Sequence, residues 1–286
     1  MLVNDKSLRS VLTHSPGTAI GVALVTLHLL NALFAPLLIP YGETQLVGAP
    51  MIAPGHADFI FGTDVIGRDF LSRLMMGGRT SITVAMIGVF GAVLIGTFFA
   101  VSAAYMGGLY DDVVMRIVDT KLSIPGILFV ALFVVGFGRS VSVLTIVVGL
   151  SYFPGAVRTI RAQAMTQVPL AYVKAARLRG ESALSVIFRE LTPNVIEVVV
   201  VEFAIRTSSA ILIVSALSFL GLGITPPTAD WGLMVSEGVN QIYEAPWLVL
   251  LPAVFISTLV VGLNFASDGL ANALGLDAAR GLGGGN

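Results

Sequence analysis

The sequence has no cysteine and only three histidines among its 286 residues. The absence of cysteine excludes disulfide bonds, thiolate metal ligands and cysteine nucleophiles. His14, His28 and His56 lie far apart in the sequence, so they do not predict a clustered metal site. Charge is scarce as well, because 12% of the residues are charged, whereas a soluble domain has about 25%. This scarcity argues against both a water-soluble globule and a disordered chain.

Apolar side chains take up most of the composition instead. Hydrophobic residues make up 56% of the chain, and the mean hydropathy is +0.91. Such a composition argues against a transmembrane β-barrel, whose strands alternate polar and apolar residues. It favours an all-α polytopic membrane protein. The net charge of −1 gives no basic bias that would point to nucleic acid as a partner.

A helix that crosses a membrane needs about 20 mostly apolar residues. Six stretches without charged residues approach or exceed this length and predict six transmembrane helices. With the N-terminus inside, eleven Lys and Arg residues fall on the cytoplasmic side and four on the external side. This excess predicts that both termini are cytoplasmic. The predicted spans are residues 18–39, 80–104, 114–136, 141–160, 196–220 and 246–267.

The spans divide the chain into three parts. Residues 1–79 contain the N-terminal tail, the first span and an external loop. Residues 80–273 contain the other five spans and form the core, with cytoplasmic helices predicted at about 165–193. Residues 274–286 form a C-terminal tail.

The connection at residues 161–194 predicts two short helices around a glycine turn. Pro169 suits the first turn of a helix, and Gly180 suits its C-terminal cap. Ser182 suits the N-cap of a second helix, which should stop before Pro193. The residues alone leave two interpretations open: a hairpin whose basic side chains face lipid headgroups, or a docking site for a cytoplasmic protein.

The spacing of small residues in this connection resembles the coupling motif of ABC-importer permeases. In that motif an alanine pair, a glycine and a proline stand at fixed distances. The matching positions are Ala175, Ala176, Gly180 and Pro193. Lys174, Glu190 and Thr192 depart from the motif, which has glutamate, isoleucine and leucine at these three positions.

Four further segments are similar to one branch of these permeases, the dipeptide/oligopeptide/nickel importers, and within it to the C-type subunit. The similarity extends from about Phe61 to about Ala273, which is most of the chain. The segments that carry it are residues 62–73, residues 115–125, residues 216–232 and residues 245–247.

The resemblance implies the type I ABC-importer permease fold, with six transmembrane helices, in the inner membrane of a bacterium. It implies a heterodimer with a homologous permease, two ATPase subunits and an extracytoplasmic solute-binding protein. ATP and Mg are expected on the ATPases, and this chain is expected to bind no cofactor and to catalyse no reaction. Peptides, nickel chelates, opines and oligosaccharides all stay open as solutes. The implied ATPase-docking residues are Lys174, Ala175, Ala176, Arg177, Gly180, Glu190 and Pro193.

Charged residues within the predicted spans are candidates for the solute path or for a structural ion pair. Glu202 and Arg206 are four residues apart and should share one face of a helix. Asp119 is a third candidate, at or near the membrane edge. Both interpretations stay open, because a buried charge in a membrane usually faces either a cavity or a partner.

The external loop between the last two spans is a candidate contact for the binding protein. It contains Pro226, Pro227 and Trp231. Trp and Pro also occur as ordinary anchors at a membrane surface, so the residues alone do not decide between the two roles.

Two other functional classes are weighed against the importer. A secondary transporter would need ion-coupling carboxylates near the middle of the membrane, and Glu202 is one candidate. A non-transporting scaffold subunit is the other class. The chain lacks a Gly-x-x-x-x-Gly-Lys-Ser/Thr phosphate-binding loop, so it is not expected to hydrolyse ATP itself.

Overall fold

The computed structural model describes residues 16–56 and 58–274. Most of the predicted N-terminal tail and nearly all of the predicted C-terminal tail therefore lie outside the described residues. Within the described part the secondary structure is helical, with three isolated β-bridges and no strand. The helices are α1 (Pro16–Leu38), α2 (Phe70–Met106), α3 (Gly108–Leu122), α4 (Gly126–Phe137), α5 (Val141–Gln167), α6 (Ala171–Leu178), α7 (Ala183–Phe219), α8 (Trp231–Gly238) and α9 (Trp247–Ala273).

Five of these helices, α1, α2, α5, α7 and α9, are long and apolar enough to cross a membrane, judged by length and composition. The pair α3 and α4 provides a sixth span if the two are counted together, but they are bent by 85°. The prediction of an all-α membrane protein is confirmed. The third span, predicted at residues 114–136, is not one continuous helix, because Pro125 disfavours helical backbone at the residue before it and the helix is interrupted there.

The second span begins ten residues earlier than predicted, at Phe70, so the boundary drawn between residues 79 and 80 lies inside α2. Asp69 caps this earlier start, since its carboxylate accepts the N–H of Ser72 at 2.8 Å. Arg79 limited the predicted span because it is charged. In the structure Arg79 is an exposed residue of the helix, and the charge of Arg73, which lies closer to the start of the helix, is neutralised by carboxylates.

The second cytoplasmic helix does not stop before Pro193, as predicted, but continues into the fifth span as α7. Residues Val186–Leu191 form a π-helical segment. Pro193 cannot donate a backbone hydrogen bond, and its ring would collide with a carbonyl of the preceding turn in a regular α-helix. The wider π turn accommodates this. The Thr192 hydroxyl donates to the Ile187 carbonyl at 2.8 Å across the widened turn.

Glycines bring α2 and α5 into close contact near the middle of α2. A Cβ atom built on Gly88 would lie 2.7 Å from the Thr145 carbonyl oxygen, and one on Gly149 would lie 2.8 Å from the Gly88 carbonyl oxygen. Side chains at these positions would force the helices apart. Gly88 and Gly149 therefore allow this close packing.

The bundle has two ends, separated by the length of α2. With 37 residues, this helix is about 55 Å long at about 1.5 Å per residue. Residues 39–56 and 58–69 and α8 lie at its start, and we call them the cap end. The helix α6 and the first turns of α7 lie at its other terminus, and we call them the hairpin end.

Candidate functional site

The hairpin end contains the helix predicted to dock an ATPase. After α6 the chain turns at Gly180, whose φ is +75°, a left-handed conformation that favours glycine. The N–H of Gly180 donates to the Arg177 carbonyl at 3.0 Å, and the N–H of Glu181 donates to the Ala176 carbonyl at 3.2 Å. This bonding pattern is a Schellman motif. The predicted glycine cap is confirmed, and α6 has a rigid end.

The side chains of α6 divide into an inner and an outer face. Val173 and Ala176 are fully buried within the chain. Ala176 is therefore small for the sake of internal packing, and the structure contradicts the prediction that its side chain contacts a partner. The outer face includes Leu178, an apolar side chain that is 90% exposed. The other exposed residues of this helix and its turn include Lys174, Ala175, Arg177, Arg179 and Gly180.

Two contacts tie α6 to the long helices. The guanidinium of Arg177 lies 4.5 Å from the centre of the Tyr105 ring, near the end of α2. Arg179 forms ion pairs with Glu181 at 2.5 Å and with Glu190 of α7 at 3.3 Å. Glu190 thus has a partner within the chain, whereas Pro193 is exposed. Arg177 and Arg179 connect the exposed helix to the ends of two spans.

Glu202 and Arg206 form the predicted ion pair on one face of α7. The Arg206 Nε donates to Glu202 Oε2 at 2.6 Å, and Nη2 lies 2.5 Å from the same oxygen. The guanidinium lies against Gly155 of α5, where a Cβ atom would approach its Cζ to 3.0 Å. The pair is only partly buried, so a portion of it is on the surface of this chain.

Asp119 does not join that pair. Its carboxylate forms an ion pair with Arg158 of α5, and both side chains are 55% exposed. A second pair, Asp111 with Arg161, also joins α3 to α5. The three candidates predicted together therefore belong to different contacts: Glu202 and Arg206 link α7 to α5, and Asp119 links α3 to α5.

Lys121 belongs to these charges as well, and like Asp119 it was expected at the membrane edge, in either a structural or a coupling role. Its ammonium donates to the Ser151 carbonyl at 2.5 Å and to the Ser151 hydroxyl at 3.2 Å. It also lies 4.8 Å from the centre of the Phe129 ring. Ser151 and Gly155 are four residues apart on α5, so Lys121 and Arg206 contact the same helix face one turn apart. We call Lys121, Ser151, Glu202 and Arg206 the intramembrane cluster.

A buried ion network holds the cap end together. The Asp64 carboxylate accepts from Arg68 Nε at 2.5 Å and from Arg73 Nη1 at 2.7 Å. Arg73 also donates to Glu237 of α8 at 2.6 Å. Burial raises the pKa of Asp64, but the backbone N–H groups of Arg68 and Ile66 and the two guanidinium charges lower it more, so the pKa of Asp64 lies below its ordinary value.

The same end buries Trp231, which was a candidate either for a contact with the binding protein or for an anchor at the membrane surface. The indole is fully buried, and its N–H donates to the Leu74 carbonyl at 2.8 Å. The neighbouring Asp230 carboxylate accepts from the Ser81 hydroxyl at 2.7 Å and caps α8. Burial raises the pKa of Asp230. Trp231 therefore anchors α8 to α2 and is not available to a partner, whereas Pro226 and Pro227 are exposed.

Comparison with known proteins places this arrangement in a family. Residues 92–276 match the family described as the binding-protein-dependent transport system inner membrane component. A di/tripeptide transport system permease protein DppC of Pseudomonas aeruginosa (strain UCBPP-PA14) is 34% identical over 267 residues, which are 91% of this chain and 88% of the relative. The chain belongs to this family.

Two other transport permeases are similarly close. An oligopeptide transport system permease protein OppC of Haemophilus influenzae (strain ATCC 51907 / DSM 11121 / KW20 / Rd) is 37% identical over 245 residues, 84% of this chain and 78% of the relative. The OppC protein of Escherichia coli (strain K12) is 35% identical over 266 residues, 91% of this chain and 87% of the relative. The predicted resemblance to C-type permeases of ABC peptide importers is confirmed. The chain is a multi-pass permease subunit of a transport system.

The permease contains functional contacts that sequence reasoning missed. The clearest is the cap-end network, whose members Asp64, Arg68 and Arg73 lie in a segment quoted only for its resemblance. The signal was present, because Asp64 and Arg68 are four residues apart and of opposite charge. Their partner Glu237 is 164 residues from Arg73 in sequence, and no pattern along the chain predicts that pairing.

Proposed function

We propose that this permease subunit forms a heterodimer with a related permease and imports short peptides, driven by ATP. The relatives described above are named for di/tripeptide and oligopeptide transport. We further propose that an extracytoplasmic binding protein delivers the peptide at the cap end. The exposed Pro226 and Pro227 are the candidates for that contact, and Trp231 acts behind them by holding α8 in place.

The outer face of α6 is the observation that carries the proposal of ATPase docking. A stable helix with a rigid cap, an exposed apolar side chain at Leu178 and basic side chains around it has the composition of a contact surface. The cations Lys174 and Arg177 suit an acidic groove on the partner. Two such partners, one for each permease, would bind ATP and Mg and hydrolyse the nucleotide, and this chain would bind neither.

Movement of α6 would reach the spans through the contacts at its two ends. Arg177 on Tyr105 connects it to α2, and Arg179 on Glu190 connects it to α7. When the ATPases close, the docked helix moves, and both spans tilt between two discrete packings. The path then opens alternately to each side of the membrane.

The orientation follows from this assignment, with the hairpin end and both termini in the cytoplasm of a bacterium. The chain has no cysteine, so single cysteines can be labelled without background. We expect Asp58→Cys to react with an impermeant thiol reagent from outside the cell, and Ala183→Cys to react only after the membrane is opened. The reverse pattern would invert the topology.

The central test measures ATP-dependent peptide uptake by the complete transporter in vesicles. Deletion of this chain should abolish uptake of a tripeptide, and collapse of the ion gradient should leave uptake intact. Ala175→Glu should remove the ATPase from the purified complex without changing membrane insertion, and Ala175→Ser is its control. Uptake that depends on the ion gradient would favour a secondary transporter. Uptake that persists without the chain would favour a scaffold.

A further inference from the structure

The third span is broken at the depth of the intramembrane cluster. Ser151, which Lys121 contacts, lies ten residues after the start of α5 at Val141. At about 1.5 Å per residue this is about 15 Å, or half of a hydrocarbon core of about 30 Å. The break itself, residues 123–125, is exposed on the surface of this chain.

Neither the break nor the lysine suits a lipid-facing surface. Non-helical backbone at this depth occurs where it is buried in protein or lines a water-filled cavity, because lipid cannot satisfy its hydrogen-bonding groups. A charged side chain at this depth likewise faces a cavity or a partner. The exposed surface around Lys121 and residues 123–125 therefore faces either an aqueous path or another subunit.

Lys121 gives the cluster an uncompensated positive charge. Glu202 neutralises Arg206 one turn away along α5. Asp119, the nearest acid in sequence, is paired with Arg158. Among residues 16–56 and 58–274 no carboxylate forms an ion pair with Lys121, whose contacts are Ser151 and the Phe129 ring. The net charge of the cluster is therefore +1.

We infer that Lys121 makes the translocation path selective for charge, so that peptides with an acidic side chain pass more readily than peptides with a basic one. The inference rests on the proposed function, because it takes the peptide as the solute and this surface as its path. A unit charge at about 12 Å, with an effective dielectric constant of about 20, changes a relative rate about tenfold. Pore-lining lysines select for anions in the same way.

The experiment uses the complete transporter in vesicles and three peptides of one size, Ala-Asp-Ala, Ala-Ala-Ala and Ala-Lys-Ala. Initial ATP-dependent uptake is measured at saturating peptide with the same binding protein throughout, so that the preference of the binding protein cancels between variants. Lys121→Met should raise the ratio of Ala-Lys-Ala to Ala-Asp-Ala uptake by about a hundredfold, because the uptake of each charged peptide relative to Ala-Ala-Ala changes about tenfold and in opposite directions. Lys121→Arg keeps the charge and should leave the ratio within about twofold of the parent.

A second substitution tests the charge without removing the lysine. Ser123→Asp places a carboxylate on the exposed break, two residues from Lys121, and should raise the same ratio. Ser123→Asn is the matched neutral control and should not change it. This pair keeps the test decisive even if Lys121→Met lowers the amount of assembled transporter.

Three results are informative in different ways. An unchanged ratio in both Lys121→Met and Ser123→Asp would overturn the inference and leave the proposed function standing. An equal loss of all three peptides in Lys121→Met, together with loss of the partner permease from the purified complex, would also overturn it, since Lys121 would then pair with an acid of that subunit. Absence of ATP-dependent uptake in the parent transporter would instead contradict the proposed function.

Discussion

In the ion network of the cap end the charged side chains lie largely inside the protein, whereas at the hairpin end the charged side chains of α6 lie on its surface. Arg73 is fully buried between Asp64 and Glu237, and the network joins three separate parts of the chain. Lys174 and Arg177 are exposed on one short helix. The charges of the cap end hold the permease together, and under the proposed function the exposed charges of the hairpin end meet an ATPase. The same residue types would thus serve stability at one end and recognition at the other.

Removal of a buried charge at the cap end should have the largest effect. Arg73→Met leaves Asp64 and Glu237 sharing one remaining arginine in a buried site, which should lower the free energy of unfolding by about 3–5 kcal/mol. The measurement is thermal unfolding of the purified transporter in detergent. Arg79→Met, an exposed arginine of the same helix, should cost less than about 1 kcal/mol. Equal losses in the two variants would remove the distinction between buried and exposed charge.

The hairpin end separates packing from docking at two adjacent alanines. Ala176→Glu forces bulk and charge into a filled interior and should destabilise the protein by about 1–3 kcal/mol or more. Ala175→Glu adds the same side chain on the exposed face and should leave unfolding unchanged. Both variants should lose the ATPase in copurification. If Ala176→Glu were as stable as the parent, the assignment of the inner face of α6 would be wrong.

The glycine turn of the hairpin end should give a smaller effect. Gly180→Val places a β-branched residue at a left-handed φ and should cost about 1–2 kcal/mol. Gly180→Asn should cost less, since asparagine tolerates this conformation. Proteolysis of the connection in membrane vesicles reports the loss of the cap. A Gly180→Val hairpin as resistant as the parent would show that the turn adapts without strain.

The smallest expected effect is the change in the stability of the cap end with pH. Because the folded pKa of Asp64 is lowered, its ionised form stabilises the protein above the unfolded pKa of about 3.9, and this contribution is lost as pH falls further. The difference in unfolding between the parent and Asp64→Asn should be constant from about pH 8 to pH 5 and shrink below about pH 4. Asp230, whose pKa is raised, has the opposite dependence, but it is present in both proteins and cancels. A difference that grows in acid would contradict the network.

Sequence predicted the elements better than it predicted their ends. Charge-free stretches located every span, because the cost of charge in lipid is a local property of the sequence. The predicted ends failed where distant residues compensate a local defect. Arg73 could continue α2 because Glu237 neutralises it, and Pro193 could remain within α7 because the preceding turn widens to a π-helix. Pro125 does interrupt a helix, as the local chemistry of proline suggests, but this break was not predicted from the sequence.

The sequence predicted the spacing of the residues in the candidate site, but it did not predict which of their side chains are exposed. The fixed distance from Ala176 to Gly180 identified α6 as the candidate docking helix. Which alanine is exposed depends on how α6 packs on the chain. Apolar residues occur on both the buried and the exposed side of this eight-residue helix, as Val173 and Leu178 show, so apolar character alone does not indicate its buried face. The exposure of Trp231 was predicted wrongly for a related reason. A tryptophan in an external loop was expected to be exposed, but its indole N–H donates to a buried carbonyl of α2.

Gly88 lies at the midpoint of α2. It stands eighteen residues from Phe70 and eighteen from Met106, and it is where α2 approaches α5 closely enough to exclude side chains. A rigid tilt of α2 about Gly88 would move the two ends of the helix by equal distances in opposite directions. Each half of the helix is about 27 Å long, so a rotation of about 5° would move each end by about 2 Å. If α2 tilts as a rigid body, a displacement of Tyr105 at one end is accompanied by an opposite displacement of Arg73 and the network that surrounds it.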